Sequence, residues 1–166
     1  MATTDNLNEA FAGESQANRR YLAFAKKADL EGRPQIARLF RAAADAETVH
    51  ALTHLRVLGT VKNVAENLQA AIAGEAFEFQ SMYPKFVAEA QAENNAPALA
   101  TFRNAMAVEQ VHHKLFLAAL ATASAGKDLP AGPIHVCQVC GNTVTGNVPD
   151  TCPVCGANKA QFVEVK

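Results

Sequence analysis

The 166-residue sequence has no cysteine before residue 137, no run of basic residues and no apolar segment of membrane-spanning length. Its formal net charge is −1 and it has no basic run, so nucleic acid is not expected as a partner. Stretches such as LFLAALATA are far shorter than the roughly 20 residues that cross a bilayer, so no membrane association is predicted. The first residues, MATTDNLNEAF, lack the basic and apolar regions of a signal peptide, and a cytoplasmic location is expected.

The four cysteines form two C-x-x-C pairs, Cys137 with Cys140 and Cys152 with Cys155. In the cytoplasm thiols stay reduced, so this spacing indicates a metal site rather than disulfides. Each pair is followed by glycine, in CQVCG and CPVCG, which allows the tight turn that brings backbone N–H groups to sulfur. Four thiolates suit zinc or iron, and the spacing does not decide between them.

Four segments before the cysteines have apolar residues at helical spacing, and the predicted helices cover residues 5–30, 34–58, 66–92 and 97–124. The first should be capped by Thr3, Thr4 or Asp5, and Pro84 should kink the third because it removes a backbone donor. Four amphipathic helices of similar length predict an all-α four-helix bundle over residues 1–126. A Gly/Pro-rich linker at 127–133 leads to a small, turn-rich domain at 134–166.

Carboxylates interrupt the apolar stripe of each predicted helix about midway along its length. The motif E-x-x-H occurs twice, as Glu47 with His50 and as Glu109 with His112. Residues three apart lie on one face of a helix, so each acid and imidazole point the same way. A buried layer of unpaired carboxylates is unfavourable, and a bound cation would stabilise it.

The other two helices each contribute one glutamate to this layer, Glu14 and Glu75. The spacing from Glu14 to Glu47 is 33 residues and that from Glu75 to Glu109 is 34, which indicates that the chain contains two copies of one helical pair. A glutamate from each of two helices and E-x-x-H from each of the other two is the pattern of ferritin-like di-iron and di-manganese proteins. Oxygen-rich ligation favours iron or manganese over zinc.

Three further residues lie near this pattern. His113 competes with His112, which is preferred because the second helix uses the same i, i+3 spacing. His54 is one turn beyond the histidine of the second helix and is expected to be a packing residue rather than a ligand. Glu78 lies three residues after Glu75, on the same face, and is predicted to be an additional ligand.

The sequence resembles the rubrerythrin family. The resemblance covers essentially the whole chain and rests on AFAGESQANRRYLAF, DAETVHA, GEAFEFQSMYPKF and AVEQVHHKLF, followed by the CQVCG and CPVCG pairs. It implies a ferritin-like bundle with two irons and a rubredoxin-like domain in which four cysteines hold one iron, with zinc as an alternative metal.

The resemblance also implies an activity. Rubrerythrins are non-haem di-iron peroxidases that reduce hydrogen peroxide to water and so protect against oxidative stress. Electrons come from NAD(P)H through a separate reductase and pass through the four-cysteine iron. The alternatives are a ferroxidase or oxygen reductase of the ferritin-like class, and a zinc- or iron-binding protein without turnover.

The resemblance further implies a role for each residue at the di-iron site. Bridging ligands would be Glu47 and Glu109, with Glu14 and Glu78 on one iron and Glu75 and His112 on the other. On reduction, His50 would replace Glu78 on the first iron. Tyr21 and Tyr83 match tyrosines near the site that hydrogen-bond to ligand carboxylates.

The connection between the second and third helices predicts a homodimer with exchanged helix pairs. If both metal half-sites came from one chain, this connection would have to cover about 30 Å along the bundle. The segment 59–65 reaches at most about 25 Å when fully extended. Pairing the first two helices of one chain with the last two of its neighbour removes this conflict.

Overall fold

The computed structural model describes residues 2–166, and the chain divides into two compact units between Lys62 and Asn63. Within the described residues, no helix is both long and apolar enough to cross a membrane. The predicted four helical segments and small C-terminal domain are both present.

The first unit is a hairpin of α1 (Ala2–Leu30) and α2 (Pro34–Leu58). Buried alanines line the contact between the two helices, with Ala25, Ala28 and Ala37 packed against Phe40. The predicted cap at Thr3, Thr4 or Asp5 is wrong, because α1 already begins at Ala2. Gly59, at φ +65°, ends α2 in the left-handed conformation, and its N–H bonds to carbonyls of the last turn.

The second unit contains α3 (Val64–Phe77), a π-helical segment (Glu78–Met82), α4 (Tyr83–Ala92) and α5 (Ala96–Ser124). The side chain of Asn63 caps α3 by accepting a hydrogen bond from the Glu66 N–H at 3.0 Å. A kink was predicted at Pro84; the structure has a π-helical segment immediately before this residue, and Pro84 occupies the first turn of α4.

The two units repeat one pattern with a single difference in register. A constant offset of 62 residues relates Tyr21 to Tyr83, Phe24 to Phe86, Phe40 to Phe102, Glu47 to Glu109 and His50 to His112. The two Phe–Phe pairs of this set have the same ring-centroid distance, 5.5 Å. Between Glu14 and Glu75 the offset is 61, so one extra residue lies between Glu75 and Tyr83. A π-helical turn accommodates an additional residue in this way, and the segment occurs at that place.

The C-terminal part of the second unit is a small antiparallel sheet. Its strands are β1 (Ile134–Cys137), β2 (Thr143–Thr145) and β3 (Phe162–Glu164), in the order β2-β1-β3. A 3₁₀ turn at Lys159–Gln161 precedes β3. The first C-x-x-C pair begins at the last residue of β1, Cys137, and continues into the β1–β2 connection, and the second pair precedes the 3₁₀ turn.

Candidate metal centres

The first unit brings together three predicted ligands, Glu14 of α1 with Glu47 and His50 of α2. Their ligand atoms all lie within 4.8 Å of one another. Nδ1 of His50 is 2.9 Å from Glu47 Oε2 and 3.9 Å from Glu14 Oε1. The His50 side chain is 55% exposed, so this half-site is open on one side.

The second unit repeats this arrangement with Glu75 of α3 and with Glu109 and His112 of α5. Nδ1 of His112 is 2.8 Å from Glu109 Oε2 and 3.9 Å from Glu75 Oε2. Burial and then the charge of the neighbouring Glu109 carboxylate raise the pKa of Glu75, because both disfavour its ionised form. Two carboxylates and one imidazole nitrogen around a common point are a suitable donor set for iron or manganese.

Glu78 and Tyr83 lie at the two ends of the irregular part of the third long helix. Glu78 is in the π-helical segment and outside the three-residue group, yet burial and the charge of Glu75 raise its pKa. The pKa of Tyr83 is raised by burial and then by the carboxylates of Glu78, Glu109 and Glu75. The Tyr83 hydroxyl therefore keeps its proton and can donate it in a hydrogen bond. Tyr21 holds the matching position in the first unit, where its ring packs against Phe24 and Phe40.

The remaining helical histidines lie outside both groups. The ring of His113 packs edge-on against Phe79, with ring centroids 5.4 Å apart, and so contacts the π-helical segment. His54 is half-buried on α2, one turn after His50.

The four cysteines converge on one point. Sγ of Cys137 is 3.8 Å from Sγ of Cys155, and Sγ of Cys140 is 3.7 Å from Sγ of Cys152. A regular tetrahedron with metal–sulfur bonds of about 2.3 Å has sulfur–sulfur edges of about 3.8 Å. All four cysteines are free thiols, and their placement fits a single tetrahedral metal ion.

Backbone N–H groups lower the pKa values of thiols in this cluster. Burial alone would raise the pKa of Cys152, but the N–H groups of Cys155 and Val154 and the neighbouring thiols lower it to about 7. Burial raises the pKa of Cys140, and the N–H of Asn142 opposes that effect. Cys152 is therefore the thiol most readily ionised for metal binding at neutral pH.

Two polar contacts near the metal ligands were not predicted from the sequence. Asn18 is 8% exposed and joins α1 to α2, since its Nδ2 donates to the Ala44 carbonyl at 2.7 Å and to Thr48 Oγ1 at 2.8 Å. In the second unit, His112 Nε2 lies 2.9 Å from Thr143 Oγ1 of strand β2. Neither contact has a local sequence signal, because the partners are 26 or more residues apart.

These features define the class of protein. It is a helical carboxylate–histidine metalloprotein with an appended four-cysteine metal domain. The family model described as Rubrerythrin matches residues 5–120, and the model described as Rubrerythrin, rubredoxin-like domain matches residues 135–163. The chain belongs to the rubrerythrin family, so the predicted ferritin-like fold with a rubredoxin-like domain is confirmed.

Several characterised proteins are similar over nearly the whole chain. Rubrerythrin-2 of Clostridium acetobutylicum is 37% identical over 174 residues, covering 96% of this chain and 95% of its own length. Nigerythrin of Nitratidesulfovibrio vulgaris is 35% identical, covering 97% of this chain and 85% of its own length. A solved structure of nigerythrin in its mixed-valence state covers 98% of this chain and 86% of its own, with 34% identity and a TM-score of 0.59. Family membership and the donor sets support an iron-binding oxidoreductase.

Proposed function

We propose that this protein is a non-haem di-iron peroxidase that reduces hydrogen peroxide to water. The observation that carries the proposal is the presence, in one chain, of two carboxylate–histidine half-sites and a tetrahedral four-thiolate site. Each turnover uses two electrons and two protons to convert one peroxide into two waters. Iron held by the carboxylate–histidine half-sites would supply both electrons and Lewis acidity toward the peroxide, and iron held by the four thiolates would supply single electrons. Iron storage needs no such carrier, which disfavours the ferroxidase alternative.

The proposed ligands follow the two half-sites. Glu47 and Glu109 would bridge the two irons, with Glu14 and Glu78 holding the first iron and Glu75 and His112 holding the second. Each bridging glutamate lies three residues before a histidine, so each E-x-x-H motif would supply one bridging ligand and one terminal ligand. Zinc is an alternative metal for the thiolate site, where it would block electron transfer because it has no redox chemistry.

His50 and Glu78 are proposed to exchange at the first iron when its oxidation state changes. Across residues 2–166, the polar contacts of His50 are confined to Glu14 and Glu47, and the ring is 55% exposed. Glu78 begins a π-helical turn, whose backbone hydrogen bonding is less regular than that of an α-helix. Both side chains can therefore move without breaking a packed core.

The tyrosines are proposed to hydrogen-bond to ligand carboxylates. Tyr21 and Tyr83 occupy equivalent positions in the two units, each beside a pair of phenylalanines. The carboxylates that raise the pKa of Tyr83 are those of the proposed ligands Glu75, Glu78 and Glu109. A protonated hydroxyl near these carboxylates can donate to them and provide a proton for product water.

The functional unit is proposed to be a homodimer that exchanges helix pairs, since each unit holds only half of a di-iron site. In the proposed bundle, a two-fold axis would relate the α1–α2 repeat to the α3–α5 repeat and so place His50 and His112 on different irons. With this symmetry, α3 would run parallel to α2. Glu47 lies 11 residues before the end of α2 and Glu75 lies 11 residues after the start of α3. At the helical rise, these two distances sum to about 33 Å.

The connection from Leu58 to Val64 is too short for a site made by one chain. It contains five residues outside the helices and reaches at most about 22 Å when extended. Large apolar side chains also remain exposed on both units, including Leu39, Leu52, Phe77 and Leu117. A second copy of the chain would cover such faces and supply the other half-site.

The proposal further includes a cytoplasmic location and a separate NAD(P)H-dependent reductase as electron donor. Iron analysis of the purified protein tests the metal assignment. We expect about three irons per chain and the red colour of a four-thiolate ferric centre. Zinc in the thiolate site together with no iron at the carboxylates would contradict the peroxidase assignment and favour a non-catalytic metal-binding protein.

Glu78→Ala should leave the iron pair in place but slow its oxidation by peroxide. Six proposed ligands remain in this variant, so metal content should be unchanged, while the ligand exchange with His50 is lost. Stopped-flow mixing of the reduced variant with peroxide should show a rate at least tenfold lower than that of the unmodified protein, the scale on which removal of a supporting group acts. Glu89→Ala, an exposed change on α4, is the matched control. An unchanged rate in Glu78→Ala would remove this residue from the mechanism.

A further inference from the structure

A hydrogen bond joins the cysteine domain to a proposed iron ligand within the second unit. Nε2 of His112 lies 2.9 Å from Oγ1 of Thr143, and the same Oγ1 lies 3.3 Å from the Gly141 carbonyl. The surrounding contact is close, because Val108 is 2% exposed and its Cγ1 lies 3.8 Å from the position of a Cβ on Gly141. The first C-x-x-C turn therefore rests on α5 one turn before His112.

One assignment of donors and acceptors satisfies both contacts of the Thr143 hydroxyl. The Gly141 carbonyl can only accept, so it offers a place for the single hydroxyl hydrogen of Thr143. With the hydroxyl hydrogen in that direction, Thr143 Oγ1 accepts from His112, whose hydrogen is then on Nε2. In this tautomer the lone pair of Nδ1 faces Glu109 and Glu75, at 2.8 and 3.9 Å. A lone pair directed at two carboxylates is favourable when a cation lies between them.

We infer that Thr143 is a positioning residue for the metal site: its hydroxyl holds the ring of His112 with Nδ1 directed to the metal. The inference rests on the proposed metal site at Glu75, Glu109 and His112. Hydrogen bonds to the second nitrogen of a ligating histidine fix both its tautomer and its orientation. Here the partner comes from the cysteine domain, so the folding of that domain prepares a ligand of the helical site.

The same contact distinguishes the two histidines of the internal repeat. His50 matches His112 in its contacts to glutamate, but it is 55% exposed whereas His112 is 27% exposed. A histidine ring that is also hydrogen-bonded through Nε2 is expected to stay bound to the metal, while a ring with contacts through Nδ1 alone can dissociate from the metal. Thr143 thus accounts for why the proposed ligand exchange involves His50 and not His112.

Thr143→Val and Thr143→Ser test the inference. In the fully zinc-loaded protein, long-range proton–nitrogen NMR should show a slowly exchanging hydrogen on His112 Nε2 and zinc on Nδ1. The signal should persist in Thr143→Ser and be lost to solvent exchange in Thr143→Val. With zinc already in the cysteine site, anaerobic iron(II) titration should give about tenfold or greater loss of affinity in Thr143→Val, and little change in Thr143→Ser.

Controls separate this outcome from general damage to the domain. Thr145→Val makes the same change at an exposed position of the same strand and should leave iron affinity unchanged. If Thr143→Val does not retain zinc at the cysteines, Thr143→Ala replaces it, because it adds no bulk. Unchanged affinity and an unchanged Nε2–H signal in the Val or Ala variant would overturn the inference. Failure of the unmodified protein to bind iron would overturn both the inference and the proposed function.

Discussion

Glu109→Ala should remove both metals of the helical site and leave the cysteine site loaded. The proposed bridge is shared by the two ions, so the substitution removes a ligand from each of them at once. It also removes the carboxylate that lies 2.8 Å from Nδ1 of His112. Glu47→Ala should have the same effect, since Glu47 is its counterpart in the internal repeat. Iron should fall from about three to about one per chain, with peroxide turnover at background.

Circular dichroism and metal analysis together separate this result from unfolding. The variants should keep their helical spectrum, because removing a half-buried carboxylate lowers charge repulsion in the metal-free protein. The visible spectrum of the four-thiolate centre should also remain. Retention of two irons at the carboxylates in either variant would show that the substituted glutamate is not a bridge.

A mixed dimer of Glu47→Ala and Glu109→Ala chains should regain activity that neither variant has alone. In a dimer with exchanged helix pairs, one site combines both defective halves. The other site combines the unmodified α1–α2 pair of one chain with the unmodified α3–α5 segment of its partner. That site is complete. The mixed dimer should therefore hold about half the iron pairs of the unmodified dimer and show about half its turnover.

Recovery of activity in the mixed dimer distinguishes a dimer with exchanged helix pairs from one without exchange, because the two substitutions lie in different units. Without exchange, every site in the mixed dimer contains one substitution, and no activity returns. A mixed dimer of Glu14→Ala and Glu47→Ala is the control, since both changes lie in the first unit and no complete site can form in either arrangement. The two chains can carry different affinity tags, so that only mixed dimers are purified. Absence of recovery in the first pair would refute the exchange of helix pairs.

Much of the candidate site could be predicted because its information is local. An E-x-x-H motif fixes two ligands on one helical face, and the second copy of the motif identifies the same chemistry independently. The C-x-x-C pairs are equally local, and the sulfur positions match the expected tetrahedron. The bounds of the second helix, 34–58, were also predicted at the right residues.

The remaining features depend on contacts between distant residues or on subtle register. The sequence predicted a kink at Pro84, but the π-helical segment follows from one extra residue between Glu75 and Tyr83. A comparison of the 61- and 62-residue offsets could have found it. The contact of Thr143 with His112 joins residues 31 apart in the chain, and no periodicity encodes it. This contact depends on how the cysteine domain packs on α5, so only the three-dimensional structure shows the contact.

Anaerobic stopped-flow oxidation of the fully reduced protein tests the peroxidase assignment most directly. About 1.5 equivalents of hydrogen peroxide per iron pair should oxidise all three irons, because each peroxide accepts two electrons. The helical site should react first, and the four-thiolate iron should follow by electron transfer, seen as the appearance of its ferric colour. Oxidation by dissolved oxygen at equal concentration should be slower, since the two electrons of one iron pair complete the reduction of peroxide to water but take oxygen only to the level of peroxide. Equal or faster oxidation by oxygen, or peroxide oxidation that leaves the iron pair reduced, would contradict the account.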